Sequence, residues 1–492
     1  NSDKTGLRNL QTKWSLAVKK TRSQPQGEDT MISTRIRSRH AMTAFVGSLA
    51  LMLGGCASAD TGSNVTAVAA EASAPEAPWM GPLGWAASTK GGAGGKVIRV
   101  TTLAGNGPGS LRAALEADGP RIVVFEVGGV IDMGDHEVIV SNPYLTVAGQ
   151  TAPSPGITII RGGLTVKSHD VIIQHLRIRP GDMGGAYMSG RDIDAFTTVS
   201  AHDVIVDHCT LSWATDENMS ASGARFTGDT PAEWREGTSH RITFSNNLVS
   251  EGLSHATHAK GEHSKGSLIH DNVSDILIYG NLYAHNYERS PLFKGGVHGA
   301  IINNFIYDPG QRAIHYNLQE LEWGAMPHQA GRMTAIGNVM RAGPSTVKGL
   351  PMIMIGGDGD LDLYARDNIS VDRWGADAPL MGRYTTGRAK IVAADAPLDM
   401  PEGLQPMPAR DVERYVLANV GARPWDRDKH DVRVLADVAE GRGEIIDSQE
   451  RVGGYPDYAP TQRAFDPAMW DMETLQPKTP AALDDGSKAH GT

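Results

Sequence analysis

Two stretches of the chain, Ile242-Thr243-Phe244-Ser245-Asn246-Asn247-Leu248 and Ile276-Leu277-Ile278-Tyr279-Gly280-Asn281-Leu282, follow one pattern. Each is a short alternating apolar run, then a polar turn, then an apolar residue that begins the next run. The pattern recurs at 171–176, 204–209 and 300–305, with weaker copies ending at Val339 and Ile369. Short strands repeated with coils of about two dozen residues and variable loops predict an all-β solenoid, the right-handed parallel β-helix.

One turn position in this pattern is repeatedly polar. The residues before the apolar re-entry are His175, His208, Asn247, Asn281, Asn304, Asn338 and Asn368. An Asn amide both donates and accepts, so stacked copies predict a hydrogen-bonded ladder along the solenoid. Asn also tolerates the left-handed backbone of a tight turn. Cys209 falls at an inward apolar place, which predicts a buried structural thiol.

The composition agrees with a solenoid and excludes some functions. The chain of 492 residues has 57 Gly and only 6% aromatic residues, which fits many turns and few large core anchors. Its formal net charge of -10 argues against a nucleic-acid partner. An acidic protein that binds a polyanion needs a local cluster of Lys and Arg or a bound cation. The two cysteines predict no disulfide framework.

Residues 31–56 predict an export signal. Three Arg residues precede the apolar run 41–53, which is too short to span a membrane as a helix. The run ends in Leu53-Gly54-Gly55-Cys56, which resembles a bacterial lipobox in which Cys56 becomes the lipidated N-terminus. We therefore expect an exported protein, either anchored in the outer membrane by this lipid or secreted.

The rest of the chain is divided by composition. We interpret residues 1–30 as a non-native upstream extension and 57–94 as a flexible tether rich in Ala, Ser, Pro and Glu. Residues 95–375 form the predicted β-helix, with a short helix from Ser110 as N-cap to a stop at Gly119 that closes the open end. Residues 376–492 are expected to wrap or cap the solenoid irregularly, with one helix around 409–419.

Clustered acids mark the middle coils. Asp192 and Asp194 precede one strand, and Asp216 and Glu217 follow one coil later. Carboxylates that converge from successive coils are what a hard, oxygen-preferring cation needs. Solvated turn acids remain the alternative interpretation of each pair taken alone.

Two further segments combine cations with histidines. The first, His258-Ala259-Lys260-Gly261-Glu262-His263-Ser264-Lys265-Gly266-Ser267-Leu268, contains two His that only weakly indicate zinc, since no Cys accompanies them. The second is Arg289-Ser290-Pro291-Leu292-Phe293-Lys294, followed by His298 and the turn at Asn303-Asn304. Exposed solubilising charge is the simpler interpretation of a single Lys or Arg, but here the cations accompany acid clusters.

Together these segments, over residues 95–308, resemble the pectate lyases of polysaccharide lyase family 1. Arg289-x-Pro291-x-x-Lys294 is similar to their R-x-P-x-x-R segment. His263-x-Lys265-x-x-Leu268 is similar to their H-x-K-x-x-L segment, whose Lys contacts a substrate carboxylate. Asp192-x-Asp194 resembles their first calcium-binding acids, and Asp216 falls at a further one.

The resemblance implies a calcium-dependent lyase that cuts α-1,4-linked polygalacturonate by β-elimination. It implies Arg289 as the base, with Lys265 and Lys294 completing the catalytic set. The site residues it implies for substrate are Lys260, His263 and His298, and for Ca²⁺ they are Asp192, Asp194, Asp216 and Glu217. The expected partner is an acidic, pectate-like polysaccharide of plants or algae, and the expected state is a monomer.

The chain departs from the family pattern in three places. Lys294 replaces an Arg, which keeps the charge but loses the bidentate fork. Ser220 stands where the family often has another acid, which puts the calcium affinity in doubt. Either Lys260 or Lys265 corresponds to the Lys of the H-x-K-x-x-L segment, and the spacing in sequence between Lys265 and Leu268 favours Lys265.

Two other functions fit parts of the pattern. A β-helical glycoside hydrolase of pectic polymers would use two of the acids as acid and base, without calcium, but has no need of the Arg-Pro-Lys segment. A non-catalytic surface adhesin would explain lipidation and repeats, but not acids clustered beside cations. Only elimination makes an unsaturated uronate, so its ultraviolet absorbance separates the three.

Overall fold

The computed structural model describes residues 83–483 of the chain. The predictions for the upstream extension 1–30, the export signal 31–56 with Cys56, and the tether as far as residue 82 lie outside the described residues. None of the helices within 83–483 is long and apolar enough to cross a membrane.

The described part contains thirty strands. The first ten are β1 (Lys96–Val100), β2 (Arg121–Phe125), β3 (Val127–Asp132), β4 (Val138–Val140), β5 (Leu145–Ala148), β6 (Ile157–Ile160), β7 (Leu164–Val166), β8 (His169–Gln174), β9 (Leu176–Arg179) and β10 (Phe196–Val199). The next ten are β11 (His202–Asp207), β12 (Thr210–Ser212), β13 (Glu217–Ser222), β14 (His240–Ser245), β15 (Leu248–Ser250), β16 (Lys265–Ile269), β17 (Ser274–Tyr279), β18 (Leu282–Ala284), β19 (Leu292–Lys294) and β20 (His298–Ile302). The last ten are β21 (Phe305–Tyr307), β22 (Ile314–Leu318), β23 (Gly331–Ile336), β24 (Val339–Arg341), β25 (Ile353–Gly357), β26 (Leu361–Arg366), β27 (Ile369–Val371), β28 (Met381–Arg383), β29 (Ile391–Ala393) and β30 (Thr461–Gln462).

These strands form three sheets that run the length of the solenoid. Sheet 1 has the order β1-β2-β5-β8-β11-β14-β17-β20-β23-β26-β29, and sheet 2 the order β4-β7-β10-β13-β16-β19-β22-β25-β28. Sheet 3 has the order β3-β6-β9-β12-β15-β18-β21-β24-β27, with β30 added antiparallel beside β3. All other pairings are parallel, and a typical coil contributes one strand to each sheet, as β14, β15 and β16 do. The predicted parallel β-helix is confirmed.

The interior is filled by apolar side chains stacked in register. Val171, Val204, Ile242 and Ile276 are direct neighbours across sheet 1, and each is fully buried. Cys209 belongs to the same core and is fully buried, as predicted. Strands alternate inward and outward side chains, so the remaining positions of each strand face the loops, the tail or solvent.

The predicted asparagine ladder is confirmed at the corner between sheets 1 and 3. Each side-chain amide donates to the carboxamide oxygen of the asparagine in the next coil. The nitrogen-to-oxygen distances are 3.0 Å for Asn247 to Asn281, 2.9 Å for Asn281 to Asn304, 3.0 Å for Asn304 to Asn338 and 3.0 Å for Asn338 to Asn368. Each carboxamide oxygen also accepts the backbone N–H of the preceding ladder residue. The ladder therefore satisfies polar groups that would otherwise be buried without partners.

The placement of His175 and His208 at the same turn position as the asparagines was wrong. These residues align with Asn246, Gly280, Asn303 and Gly337, one position before the ladder, because Asp207 pairs with Gln174 and Ser245. It is this earlier position, not the ladder position, that has the left-handed backbone, for example φ 49° at His208 and 52° at Asn246. The imidazoles of His175 and His208 stack instead, with ring centroids 5.1 Å apart.

Helices lie at the ends and on the outside of the solenoid. Those in the described residues are α1 (Leu111–Glu116), α2 (Pro231–Gly237), α3 (Glu320–Trp323), α4 (Ala409–Asn419) and α5 (Lys429–Glu440). Helix α1 is N-capped by Ser110, which accepts the backbone N–H of Ala113, and it buries Leu111 and Leu115 in the core, as predicted. Helix α4 was predicted, whereas α5, N-capped by Asp428, was not.

The C-terminal segment packs on the outer faces of the sheets. Helices α4 and α5 bury Val412, Val416 and Val438 against sheet 3. Phe465 and Trp470 pack on the outer face of the first strands of sheet 1. Helix α5 is fixed by buried ion pairs, such as that from Arg179 to Asp428, with a nitrogen-to-oxygen distance of 2.6 Å. Sheets 1 and 2 themselves continue to β29 and β28, beyond the last repeat visible in the sequence.

Substitution of Asn281 by Ala tests the ladder. The Asn281 side chain accepts from the amide and backbone of Asn247 and donates to Asn304 and to the carbonyl of Phe244. Removing it leaves buried groups unpaired, so we expect the free energy of unfolding to fall by about 3 kcal/mol. Asn368→Ala, at the half-exposed end of the ladder, should cost about 1 kcal/mol because water can replace its partners. The free energies of unfolding are measured by urea denaturation. Equal decreases for Asn281→Ala and Asn368→Ala would contradict the stabilising role of the buried ladder.

Candidate active site

The predicted acids and cations converge on the outer face of sheet 2. There Asp194 precedes β10, Glu217 begins β13, and Lys265 begins β16. Arg289 precedes β19, and Lys294 ends it. Glu217 pairs with Lys265 in register, and Lys265 forms a bridge with Glu288 in the next coil. Residues distant in sequence therefore become neighbours because their coils stack.

These side chains border an open groove. It is lined by Asp216, Glu217, Arg225, Lys260, Leu268, His270, Arg289, Leu292, Lys294, Gln319 and Glu322. Three carboxylates and four Lys or Arg side chains are among these residues, so the groove has the mixed charge expected of a site for a polyanion and a cation.

Three carboxylates form an acidic cluster. Oxygens of Asp194, Asp216 and Glu217 lie within 4.8 Å of one another. Burial, and then the charge of Asp216, raise the pKa of Asp194 well above its usual range. Ser220 donates its hydroxyl to Asp194 at 2.6 Å, so the residue that replaces a family acid orients a carboxylate instead. An all-oxygen cluster that is unfavourable without a cation fits a hard divalent ion.

Asp192 lies at the edge of this cluster. Its side chain is 54% exposed, and its Oδ2 lies 3.9 Å from Nε2 of His258. The structure therefore groups Asp194 with Asp216 and Glu217 more closely than with its sequence neighbour Asp192.

Arg289 joins the cations to the acidic cluster. Its guanidinium donates to Glu217, and its backbone is left-handed, with φ 66°, which is uncommon for a residue with a Cβ atom. Burial lowers the pKa of Arg289, although the carboxylates of Asp216 and Asp194 oppose that effect. The guanidinium is thus largely desolvated beside the groove.

Lys265 and Lys294 are both held in ion pairs. Lys265 is buried and donates to Glu288, which also binds Arg312. Burial, followed by the charge of Arg312, lowers the pKa of Lys265 to about 7, although the carboxylates of Glu262 and Asp216 oppose that effect. Lys260 is exposed on the rim of the groove, so both candidates for the family Lys lie near the site but in different environments.

The far end of the groove holds a four-residue ion cluster. Lys294 contacts Glu322 and lies 3.5 Å from Asp271, and Arg225 binds both carboxylates at 2.7 and 3.0 Å. Glu288, Arg312, Arg225, Asp271 and Glu322 were not singled out in the sequence. Glu288 precedes the Arg289 motif directly, but its partners are apparent only once the coils are stacked.

The two remaining predicted substrate residues have different positions. His263 contacts Asp216, with 2.5 Å between its Nε2 and Oδ1, and burial lowers its pKa. His298 begins β20 in sheet 1, where Arg235 donates to it at 3.0 Å, and the structure does not bring it to the groove. Burial and the charge of Arg235 lower the pKa of His298 to about 3, so it is neutral at ordinary pH.

Substitution of Asp194 by Asn tests the electrostatics of the acidic cluster. Removing one of the three clustered carboxylate charges should stabilise the metal-free protein by about 1 kcal/mol, a rise of a few degrees in Tm. Added Ca²⁺ should raise the Tm of the wild type but not of this variant. Asp229→Asn, an exposed position, is the matched control and should behave as wild type. A Tm that falls in Asp194→Asn would show that the carboxylates do not repel.

The chain is similar in sequence to known proteins over most of its length. The protein named Probable pectate lyase C from Aspergillus terreus is 30% identical over 419 residues, which cover 82% of this chain and 88% of that protein. Its namesake from Emericella nidulans is 29% identical over 415 residues, covering 82% and 87%. No protein-family model matches the chain.

The chain is also similar to solved structures of other proteins. The major cedar pollen allergen Jun a 1 has a TM-score of 0.48 and 17% identity, covering 69% of this chain and 92% of that one. A pectate lyase bound to a hexasaccharide has a TM-score of 0.47 and 14% identity, covering 71% and 99%. With the extent of the fungal relatives and the groove of acids and cations on sheet 2, the chain belongs to the pectate lyase family, a family of polysaccharide lyases.

Proposed function

We propose that this protein cleaves α-1,4-linked polygalacturonate by calcium-dependent β-elimination, giving unsaturated oligogalacturonides. The observation that carries the proposal is the position of Arg289, whose guanidinium contacts an acidic cluster from neighbouring coils at an open groove. A base beside a cation site is what proton removal next to a carboxylate requires.

The cation site is assigned to Asp194, Asp216 and Glu217, with Asp192 at its edge. All four offer carboxylate oxygens, the ligands that Ca²⁺ prefers, and the three clustered side chains would be relieved of mutual repulsion. When bound, calcium supplies positive charge to the uronate carboxylate and so stabilises the charge that develops during elimination.

Arg289 is the proposed base. In its neutral form it removes the proton from C5 of the uronate, a C4–C5 double bond forms, and the C4–O bond breaks with its electron pair on the leaving oxygen, which is then protonated from water. Burial favours the neutral form by lowering the pKa of Arg289. The hydrogen bond to Glu217 fixes the direction of the guanidinium.

The lysines orient the polymer. Lys294 lies in the groove, and Lys265 is buried beside it, where each adds positive charge near the path of a polyanion. Lys260 is placed on the rim to meet a substrate carboxylate, and His263 acts through its contact with Asp216. His298 is assigned no contact with substrate because it lies outside the groove.

Export and attachment through a lipid on Cys56 belong to the same proposal. Their support is the charged and apolar sequence that precedes Cys56. An exported enzyme meets a polymer too large to enter a cell, and a monomer suffices because every proposed site residue lies in one chain.

The function is tested by ultraviolet absorbance during incubation with polygalacturonate. We expect a rise from the unsaturated uronate that excess chelator abolishes and that added Ca²⁺ restores. New reducing ends without that absorbance would instead show hydrolysis, and neither signal would show a different polymer or a binding protein.

Substitutions of the cations should separate their roles. Arg289→Lys should lower kcat by about 10²–10⁴-fold, because the shorter amine does not reach the position of the guanidinium nitrogen that takes the proton. Lys294→Ala should mainly raise KM, because it removes binding common to substrate and transition state. Arg388→Ala is the matched control, since this Arg is 63% exposed and pairs only at the surface with Glu320. An Arg289→Lys enzyme of full activity would exclude Arg289 as the base.

A further inference from the structure

Two histidines stack beside the acidic cluster, and the proposed elimination gives His258 no role. The imidazoles of His258 and His263 are parallel within 2°, with ring centroids 3.6 Å apart. Both side chains are buried, at 2% and 4% exposure. Their Nε2 atoms lie 3.6 and 2.5 Å from the same oxygen, Oδ1 of Asp216.

The Nε2 atom of His258 is buried and has no hydrogen-bond partner among the described residues. Its nearest carboxylate oxygens belong to Asp216, at 3.6 Å, and Asp192, at 3.9 Å, which are both beyond hydrogen-bond reach. A buried imidazole nitrogen left unpaired is unfavourable, so its direction toward two carboxylates indicates a missing partner between them.

We propose that His258, His263 and Asp216 bind a divalent transition metal ion of the zinc class, in a site that adjoins the acidic cluster and shares Asp216 with it. One ligand atom from each lies within 4.8 Å of the others, and Oδ2 of Asp192 is near enough to become a fourth ligand. Two imidazoles and a carboxylate are a donor set that suits Zn²⁺, Co²⁺ or Ni²⁺, whereas Ca²⁺ prefers oxygen alone.

Metal binding requires a change of tautomer in His258. Its Nδ1 accepts the backbone N–H of Lys260 at 3.0 Å, which keeps the ring proton on Nε2 in the metal-free protein. On binding, that proton moves to Nδ1 and the contact with Lys260 is lost. Losing one such hydrogen bond weakens binding by about tenfold at most, which is small beside the contribution of metal–nitrogen bonds.

Asp216 belongs both to the proposed histidine site and to the acidic cluster. Its Oδ1 faces the histidines, and its carboxylate belongs to the acidic cluster as well. If the proposed calcium site is correct, an ion bound by the histidines is coupled to it through this shared carboxylate. The metal site itself does not depend on that function.

Titration calorimetry of the full chain with Zn²⁺, without substrate, tests the proposal. We expect one ion per chain to bind with a Kd in the micromolar range or below. His258→Ala and His258→Gln should each weaken binding by about 10–100-fold or more. His255→Ala, in the same loop but 54% exposed, is the matched control and should bind as wild type. Asp194→Asn should also keep binding, because it belongs only to the acidic cluster.

Co²⁺ gives a second readout that does not depend on activity. We expect visible absorption bands of nitrogen-ligated Co²⁺ in the wild type, their loss in both His258 variants, and their persistence in His255→Ala. Circular dichroism and thermal melts show whether each variant is folded. Absence of Zn²⁺ binding and of the Co²⁺ bands in the wild type would overturn the proposal, as would wild-type binding by a folded His258→Ala or loss of binding in Asp194→Asn.

Discussion

The in-register stacking of successive coils is the constraint on which the rest of the structure depends, and hydrogen bonds between asparagines hold it from Asn247 to Asn368. A solenoid strand shifted by one residue would turn every side chain to the opposite face. The amides of Asn247, Asn281 and Asn304 bond only when the coils are in one register. The same register that buries Val204 on Ile242 places Glu217 beside Lys265 on the outer face of sheet 2.

The site follows from this stacking in a simple way. Asp194, Glu217 and Arg289 come from three separate coils, and none of the three could meet another if coils were independent. Neighbouring charges of opposite sign hold the cations in place: Glu217 holds Arg289, Glu288 holds Lys265, and Glu322 holds Lys294. A pectate lyase of net negative charge thus concentrates its cations where a polyanion needs them.

The fold could be predicted from the sequence because the same strand and turn pattern recurs along the chain. The strand around Ile276 and the turn at Asn281 have the same pattern as their neighbours, so both the β-helix and the ladder could be predicted. His175 and His208 were misplaced because their coils have Leu176 and Cys209 at the ladder position, and a His resembles a turn Asn from the sequence alone. Helix α5 was missed because its Asp and Arg residues are buried in ion pairs that the sequence does not reveal.

Within the site, motif residues could be predicted and their partners could not. The Arg-Pro-Lys segment identified Arg289, but the pairing of Glu288 with both Lys265 and Arg312 depends on which coils touch. The histidines 258 and 263 gave only a weak indication of zinc, because the loop fold, and not their spacing, makes them parallel. His298 lies in a segment that resembles the family, yet its strand belongs to a different sheet.

The most direct test is a crystal structure of the Arg289→Ala variant with Ca²⁺ and a galacturonate oligomer. The account predicts an ion held by Asp194, Asp216 and Glu217 and a uronate carboxylate on that ion. It also predicts that C5 of the same sugar faces the space left by the Arg289 guanidinium. An oligomer bound on sheet 1 or sheet 3, or in the groove with C5 directed away from residue 289, would contradict it.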